Sequence, residues 1–237
     1  MIDRKNELEE NFREIRNRIT RACNDSGRSP DEVHLIAVSK TYPESDIEHA
    51  ITLGQRSFGE NKIQDLATKM EYFADIKDLE WHMIGTLQTN KVKYIAERVH
   101  WIHSVSKIKA LDEIEKRAKP FNRIINVLIQ VNISDEDQKS GCDPEELPSL
   151  IQHAESLNHV KVRGLMGMAT FVDNPELVRP EFRLLKSLLE QERSKPYKKA
   201  ELNHLSMGMT NDLEVAIQEG ATMVRIGTAI FGKRDYS

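Results

Sequence analysis

Two residues in this sequence most need a chemical reason: a lysine that ends one apolar run and an arginine that interrupts another. Lys40 closes Leu35-Ile36-Ala37-Val38-Ser39-Lys40, four apolar residues followed by a hydroxyl and an amine. A short continuous apolar run suits a strand buried on both faces, and α/β proteins place reacting groups at the carboxyl ends of such strands. Arg225 lies in Met223-Val224-Arg225-Ile226, where a charge facing the core is costly unless paired or used. Each also has a plain reading: Lys40 turned to solvent past its strand, Arg225 turned outward to a helix carboxylate.

Two stretches could hold an anion beside them. Ser206-Met207-Gly208-Met209-Thr210-Asn211 leads into a helix whose first turn carries Asp212 and Glu214, and Gly227-Thr228 follows the arginine strand. Glycines let backbone N–H groups come close to an oxyanion, Ser206 and Thr228 add hydroxyl donors, and a helix N-terminus favours negative charge. Ordinary turn glycines and a helix cap are the alternative. If Arg225 points inward, a lysine, an arginine and an anion cradle at one mouth suggest a phosphorylated carbonyl compound held as an imine. The amine must then be neutral, so its pKa must fall from about 10.4, as desolvation and a nearby guanidinium both favour.

These groups meet only if the chain closes on itself. Leu8, Phe12, Ile15, Ile19 and Cys23 recur at helical spacing and predict an amphipathic helix ending near Ser26-Gly27. Strands are then predicted at 35–40, 56–59, 79–85, 99–105, 124–131, 160–168, 202–206 and 223–226. Helices alternate with them. The first is capped by Thr41-x-x-Glu44 and stops at Gly54, and the second opens at Glu60-Asn61 and runs to Phe73. A short helix follows Gln88-Thr89-Asn90, and others span 107–118, 144–157, 175–192 and 211–219. Eight such alternations without a linker predict an α/β chain folded as one (β/α)₈ TIM barrel over residues 1–237. The extra N-terminal helix is expected to fill the slot of the last one. An open doubly wound sheet is the alternative, weakened because no Gly-x-Gly-x-x-Gly follows the first strand.

Other signals are blander. His100 and His103 fall on opposite faces of a strand, so no metal site is expected, and His82 and His204 read as satisfied strand residues. Glu60-Asn61 and Gln88-Thr89-Asn90-Lys91 are candidate further ligand contacts, and Asp135-Glu136-Asp137 reads as a solvated loop. A formal charge of −4 without a basic cluster argues against nucleic acid. Cys23 and Cys142, the only two cysteines, fit a reducing compartment. With no apolar leader or membrane-length run, a cytoplasmic protein without a membrane partner is expected.

Taken together, several motifs carry a resemblance. These are Ile36-Ala37-Val38-Ser39-Lys40-Thr41, Gly59-Glu60-Asn61, His82-Met83-Ile84-Gly85 with Leu87-Gln88 and Asn90-Lys91, Arg163-Gly164-Leu165-Met166, Leu205-Ser206-Met207-Gly208-Met209, and the run from Val224 to Gly232. In order along the chain, they resemble the pyridoxal phosphate homeostasis proteins (the YggS/PROSC family). The resemblance implies a barrel like the N-terminal domain of alanine racemase and pyridoxal 5′-phosphate (PLP) as cofactor. It implies that Lys40 holds PLP covalently as an internal aldimine. Ser206, Gly227 and Thr228, with the backbone at Met207 and Gly208, would hold the phosphate; Arg225 would face the pyridine nitrogen and Asn61 would line the ring. The sequence departs from the family at Asn211, where an acidic residue or serine is frequent, and at Gly167, where alanine is.

Carbanion chemistry on PLP needs a protonated ring nitrogen, which a permanently charged arginine opposes. Alanine racemases share that arginine but add a catalytic tyrosine from a second domain. Here the chain ends at Ser237, with only Tyr236 in the tail. The expectation is therefore a monomeric carrier with no catalytic residue, which buffers PLP and hands it to PLP-dependent apo-enzymes. A PLP-dependent racemase-like enzyme and a cofactor-free Schiff-base lyase are the alternatives.

Overall fold

The computed structural model describes residues 3–134 and 140–232; Asp135-Glu136-Asp137 and Tyr236 lie outside them. The chain begins with helix α1 (Arg4–Asp25) and then alternates. The first half runs β1 (His34–Val38), α2 (Glu44–Thr52), β2 (Ser57–Glu60), α3 (Ile63–Tyr72), β3 (Glu80–Met83), a 3₁₀ segment (Thr89–Tyr94), β4 (Trp101–Val105) and α4 (Ile108–Ala118). The second half runs β5 (Ile125–Gln130), α5 (Leu147–Ala154), β6 (Val160–Met166), α6 (Arg179–Arg193), β7 (His204–Ser206), α7 (Leu213–Gln218), β8 (Met223–Ile226) and α8 (Thr228–Phe231). The strands pair in parallel in chain order, and β1 pairs β8 with Ile36 opposite Arg225, so the sheet closes into the expected barrel.

Alternation along the strands sorts their side chains into two layers. Ala37, Phe58, Ile102, Val127, Leu205, Val224 and Ile226 join the large core between barrel and helices. Ile36, Trp101, Leu128, Met166 and Met223 form a smaller cluster of their own, the barrel interior. The apolar stripe of α1 is buried at Leu8, Phe12, Ile15 and Ile19, and the helix packs on α2, α7 and α8. Phe12 meets Phe231 edge-on at 6.3 Å, and Asn11 donates to the Ile230 carbonyl at 2.8 Å. The leading helix therefore closes the ring beside the single-turn α8, as expected.

Three local expectations fail. Thr41 does not cap α2: it sits at φ 70°, and the helix starts at Glu44 behind an extended Pro43. Proline holds the residue before it out of the helical region, so the helix cannot reach back to Thr41. Glu60 does not open α3; it is the last residue of β2 and wholly buried. Pro144 opens a 3₁₀ turn (Pro144–Glu146) with a capping box from Asp143 and Glu146, and the α-helix proper begins at Leu147.

Candidate functional site

A pocket of about 380 Å³ opens at the carboxyl ends of the strands. Val38 and Lys40 line it from β1, Asn61 from the end of β2, Gly85 and Thr86 from beyond β3, and Arg225, Gly227 and Thr228 from β8 and its turn. The strand ends place Lys40. Ser39 N–H donates to the Gly59 carbonyl at 3.0 Å, prolonging the β1–β2 ladder by one residue. The chain then turns, with Tyr42 N–H donating back to the Ser39 carbonyl at 3.1 Å. Lys40 and Thr41 occupy the corners of this turn. The third position of such a turn favours glycine when φ is positive, yet a β-branched threonine stands there. Gly85 allows β3 to approach: a Cβ there would lie 2.2 Å from the Asn61 carbonyl oxygen.

Arg225 points inward, in register with Ile36, and is 5 % exposed. It donates to Ser206 Oγ at 2.6 Å and to the Gly167 carbonyl at 3.2 Å. Burial lowers its pKa to about 10, against the pull of Asp212, so it remains a cation at neutral pH. Behind it the polar chain continues: Ser206 Oγ lies 2.9 Å from His103 Nδ1, and His103 Nε2 lies 3.0 Å from His82 Nδ1. Arginine can only donate, so the Ser206 oxygen accepts from Arg225, and the same hydroxyl is in hydrogen-bond contact with His103 Nδ1. His82 Nε2, at the end of this chain of contacts, is buried without a hydrogen-bond partner among the described residues. Burial pushes the His82 pKa down to about 3 and that of His103 well below the usual value, so both rings are neutral.

The structure therefore gathers Lys40, Asn61, Arg225, Gly227 and Thr228 on one pocket and leaves Ser206, Met207 and Gly208 off its lining. Ser206 is fully buried and spends its hydroxyl on Arg225 and His103. Met207 and Gly208 prolong β7: Met207 N–H donates to the Met223 carbonyl and Arg225 N–H to that of Gly208. Gly208 answers to its backbone, with φ 94° and Ala216 Cβ only 2.6 Å from where a Cβ would stand. The loop reaches the pocket instead through Met209, Thr210, Asn211 and Asp212. Asp212 folds it by accepting from Met209 N–H at 2.6 Å, while burial raises its pKa.

Of the two departures from the family pattern, Asn211 makes a contact here through its side chain and Gly167 only through a backbone carbonyl that any residue would offer. Asn211 Nδ2 donates to the Val172 carbonyl at 2.9 Å, tying this loop to the one after β6, and the Gly167 carbonyl holds Arg225. Gln130, Ser140, Met168 and Thr170, which sequence reasoning did not select, complete the lining at the ends of β5 and β6. Gln130 and Met168 lie at the ends of the predicted strands 124–131 and 160–168, and Ser140 and Thr170 lie in the loops beyond, which was the available signal. Lys62, Gln64, Gln88 and Lys91 line a neighbouring groove that shares Asn61, Gly85 and Thr86 with the pocket. His100 lies apart from His103, its Nδ1 accepting from Trp81 N–H at 3.2 Å. Among the described residues there is no cluster of three metal-ligating side chains and no helix long and apolar enough to cross a membrane.

Comparison with known proteins bears on this arrangement. The model of the family described as alanine racemase, N-terminal domain, matches residues 4–235. A pyridoxal phosphate homeostasis protein of Aquifex aeolicus is 46% identical over 96% of this chain and 98% of its own length. This chain belongs to the pyridoxal phosphate homeostasis protein family. Another family member, from Pasteurella multocida, is 43% identical over 97% of this chain and 99% of its own. PipY of Synechococcus elongatus, solved with PLP bound, is 31% identical, with a TM-score of 0.81 over 95% of this chain and 100% of PipY.

Proposed function

We propose that this chain binds PLP in the pocket at the carboxyl end of the barrel, holds it covalently through Lys40, and buffers or delivers it in the cytoplasm without turnover. The observation that carries the reading is the presence of an amine, a guanidinium and a Gly-Thr turn on one pocket: Lys40, Arg225, Gly227 and Thr228. The relatives named for PLP homeostasis, and PipY solved with PLP, support the choice of ligand.

The residues fit that cofactor. The Gly227–Thr228 turn leads into α8 and offers backbone N–H groups and a hydroxyl to a phosphate. In place of Ser206, Thr210 on the facing loop adds a second hydroxyl. Lys40, as the neutral amine, would form a C=N bond to the aldehyde carbon, its two N–H hydrogens leaving with the aldehyde oxygen as water, so that nothing is oxidised or reduced. When bound, PLP supplies an aldehyde for capture and an aromatic ring able to delocalise charge. Arg225, a donor only, keeps the ring nitrogen an acceptor and so restrains carbanion formation. Asn61 lines the ring. A monomer that serves PLP-dependent apo-enzymes completes the reading.

Adding PLP to the purified protein is expected to produce the long-wavelength absorbance of a lysine-linked Schiff base, and borohydride should fix the label on Lys40. Lys40→Ala should abolish both. A label on another lysine would overturn the covalent assignment. Loss of chirality from an L-amino acid at an enzymatic rate, abolished by the same substitution, would overturn the absence of turnover.

A further inference from the structure

Directly behind the turn that carries Lys40 lies an ion pair that the proposed cofactor site does not use. Glu60, at the end of β2, is wholly buried, and Lys69 on α3 is 5 % exposed. Lys69 Nζ approaches Glu60 Oε1 at 2.6 Å. Both partners are fastened to Ser39: its hydroxyl donates to Glu60 Oε1 at 2.7 Å, and Lys69 Nζ donates to its carbonyl oxygen at 2.7 Å. That carbonyl belongs to the peptide bond joining Ser39 to Lys40. With its N–H on Gly59, every polar group of Ser39 is engaged, and on the far side of Lys40 the chain passes through the positive φ of Thr41.

A surface lysine and glutamate would do little here, and a buried pair is a costly way to build stability, because both ions give up water. Glu60 Oε2 is moreover buried without a partner. A backbone held in an uncommon conformation persists only where its surroundings over-determine it. We propose that Glu60 and Lys69 are positioning residues for Lys40: they fix the Ser39–Lys40 peptide and keep balanced charge beside the lysine, so that its amine stands in the pocket ready for an aldehyde.

The proposal rests on the reading of Lys40 as the PLP-linked lysine. Among the described residues, Asp65 on α3 also acts on Glu60, and Arg225 and Asp212 stand on the pocket wall. None of them touches Ser39 among the described hydrogen bonds. Removing one partner therefore leaves the other as an unbalanced charge one peptide from Lys40. An orphaned Lys69 ammonium disfavours a second cation and lowers the pH at which the Lys40 amine becomes neutral. An orphaned Glu60 carboxylate favours the cation and raises it.

The test is the pH midpoint of Schiff-base absorbance with added PLP, in the wild type, Glu60→Gln and Lys69→Met. 4′-Deoxypyridoxine 5′-phosphate, which has the ring and phosphate but no aldehyde, reports on the pocket itself. The midpoint is expected to fall in Glu60→Gln and rise in Lys69→Met, each by about half to one pH unit for charges near a protein surface. The analogue should bind both variants within about threefold of wild type. Midpoints that stay put, or move in the same direction, would overturn the proposal, since lost packing alone has no sign. Should either variant fail to bind the analogue, Ser39→Ala takes its place: it keeps both ions and removes one tether, and an undiminished Schiff-base yield would count against the proposal. A wild type that takes up PLP without the absorbance band would instead defeat the reading of Lys40, and the inference with it.

Discussion

Two buried polar clusters flank the pocket, one inside the barrel and one outside its wall, and they are built on opposite terms. Inside, the single cation Arg225 is held by neutral partners: a serine hydroxyl, a backbone carbonyl and, behind them, two uncharged imidazoles. Outside, the lysine-bearing turn is held by two opposite charges, Glu60 and Lys69, that meet on Ser39. The inner cluster leaves its charge uncompensated and faces it into the pocket, where an anionic ligand can use it. The outer cluster cancels its charge and spends itself on geometry. Burial alone therefore does not say what a polar group is for; the charge left over does.

The sharpest way to break this contrast is to remove half of the outer pair. Lys69→Met leaves the Glu60 carboxylate buried with only the Ser39 hydroxyl, and unfolding in urea should show a loss of about 3–5 kcal/mol. The double variant Glu60→Leu/Lys69→Met should recover most of that. Equal losses in single and double variants would mean that the pair is packing rather than paired charge.

A smaller effect distinguishes the inner cluster by its pH dependence. Unfolded, His82 and His103 titrate near their ordinary value of about 6.5; folded, burial holds the first down to about 3 and the second well below normal. The unfolded chain thus takes up protons that the folded one refuses, and stability falls as pH drops below about 6.5. Between pH 6 and 5 the decline from His82 should be about 1.2 kcal/mol, read from urea midpoints, and His103 adds to it in the same direction. The raised pKa of Glu60 has the opposite sign, so the outer pair works against this slope. A flat profile would remove the distinction between the clusters.

The smallest expected effect sharpens the inner chain. Ser206→Ala removes the acceptor of Arg225 and the hydroxyl that meets His103 together and should cost about 1–3 kcal/mol. It should also alter the absorbance of bound PLP without abolishing the lysine linkage. An unchanged spectrum would show that Arg225 keeps its place without the serine.

Most of the barrel is legible in the sequence because parallel strands buried on both faces leave continuous apolar runs, as at Leu128-Ile129 and Val224 with Ile226. The same logic brings Lys40 and Arg225 to one end. It says less about Ser206, whose choice rests on its position after the seventh strand and on its hydroxyl. Strand β7 has only three residues, and alternation turns Leu205 outward to the helices and Ser206 inward to Arg225. Thr210 carries no periodic signal, since the loop that presents it is shaped by Asp212 rather than by a strand. Glu60 reads as a loop residue because its partner, Lys69, lies nine positions on along a helix, and only the packing of α3 against the barrel brings the two together.

The string of neutral groups behind Arg225 has a consequence for the field at the mouth. A serine and two uncharged imidazoles answer the guanidinium only with dipoles, and no second ion stands among them. The inside of the barrel therefore leaves the cation's attraction unspent on that side, and an incoming anion meets it at the rim.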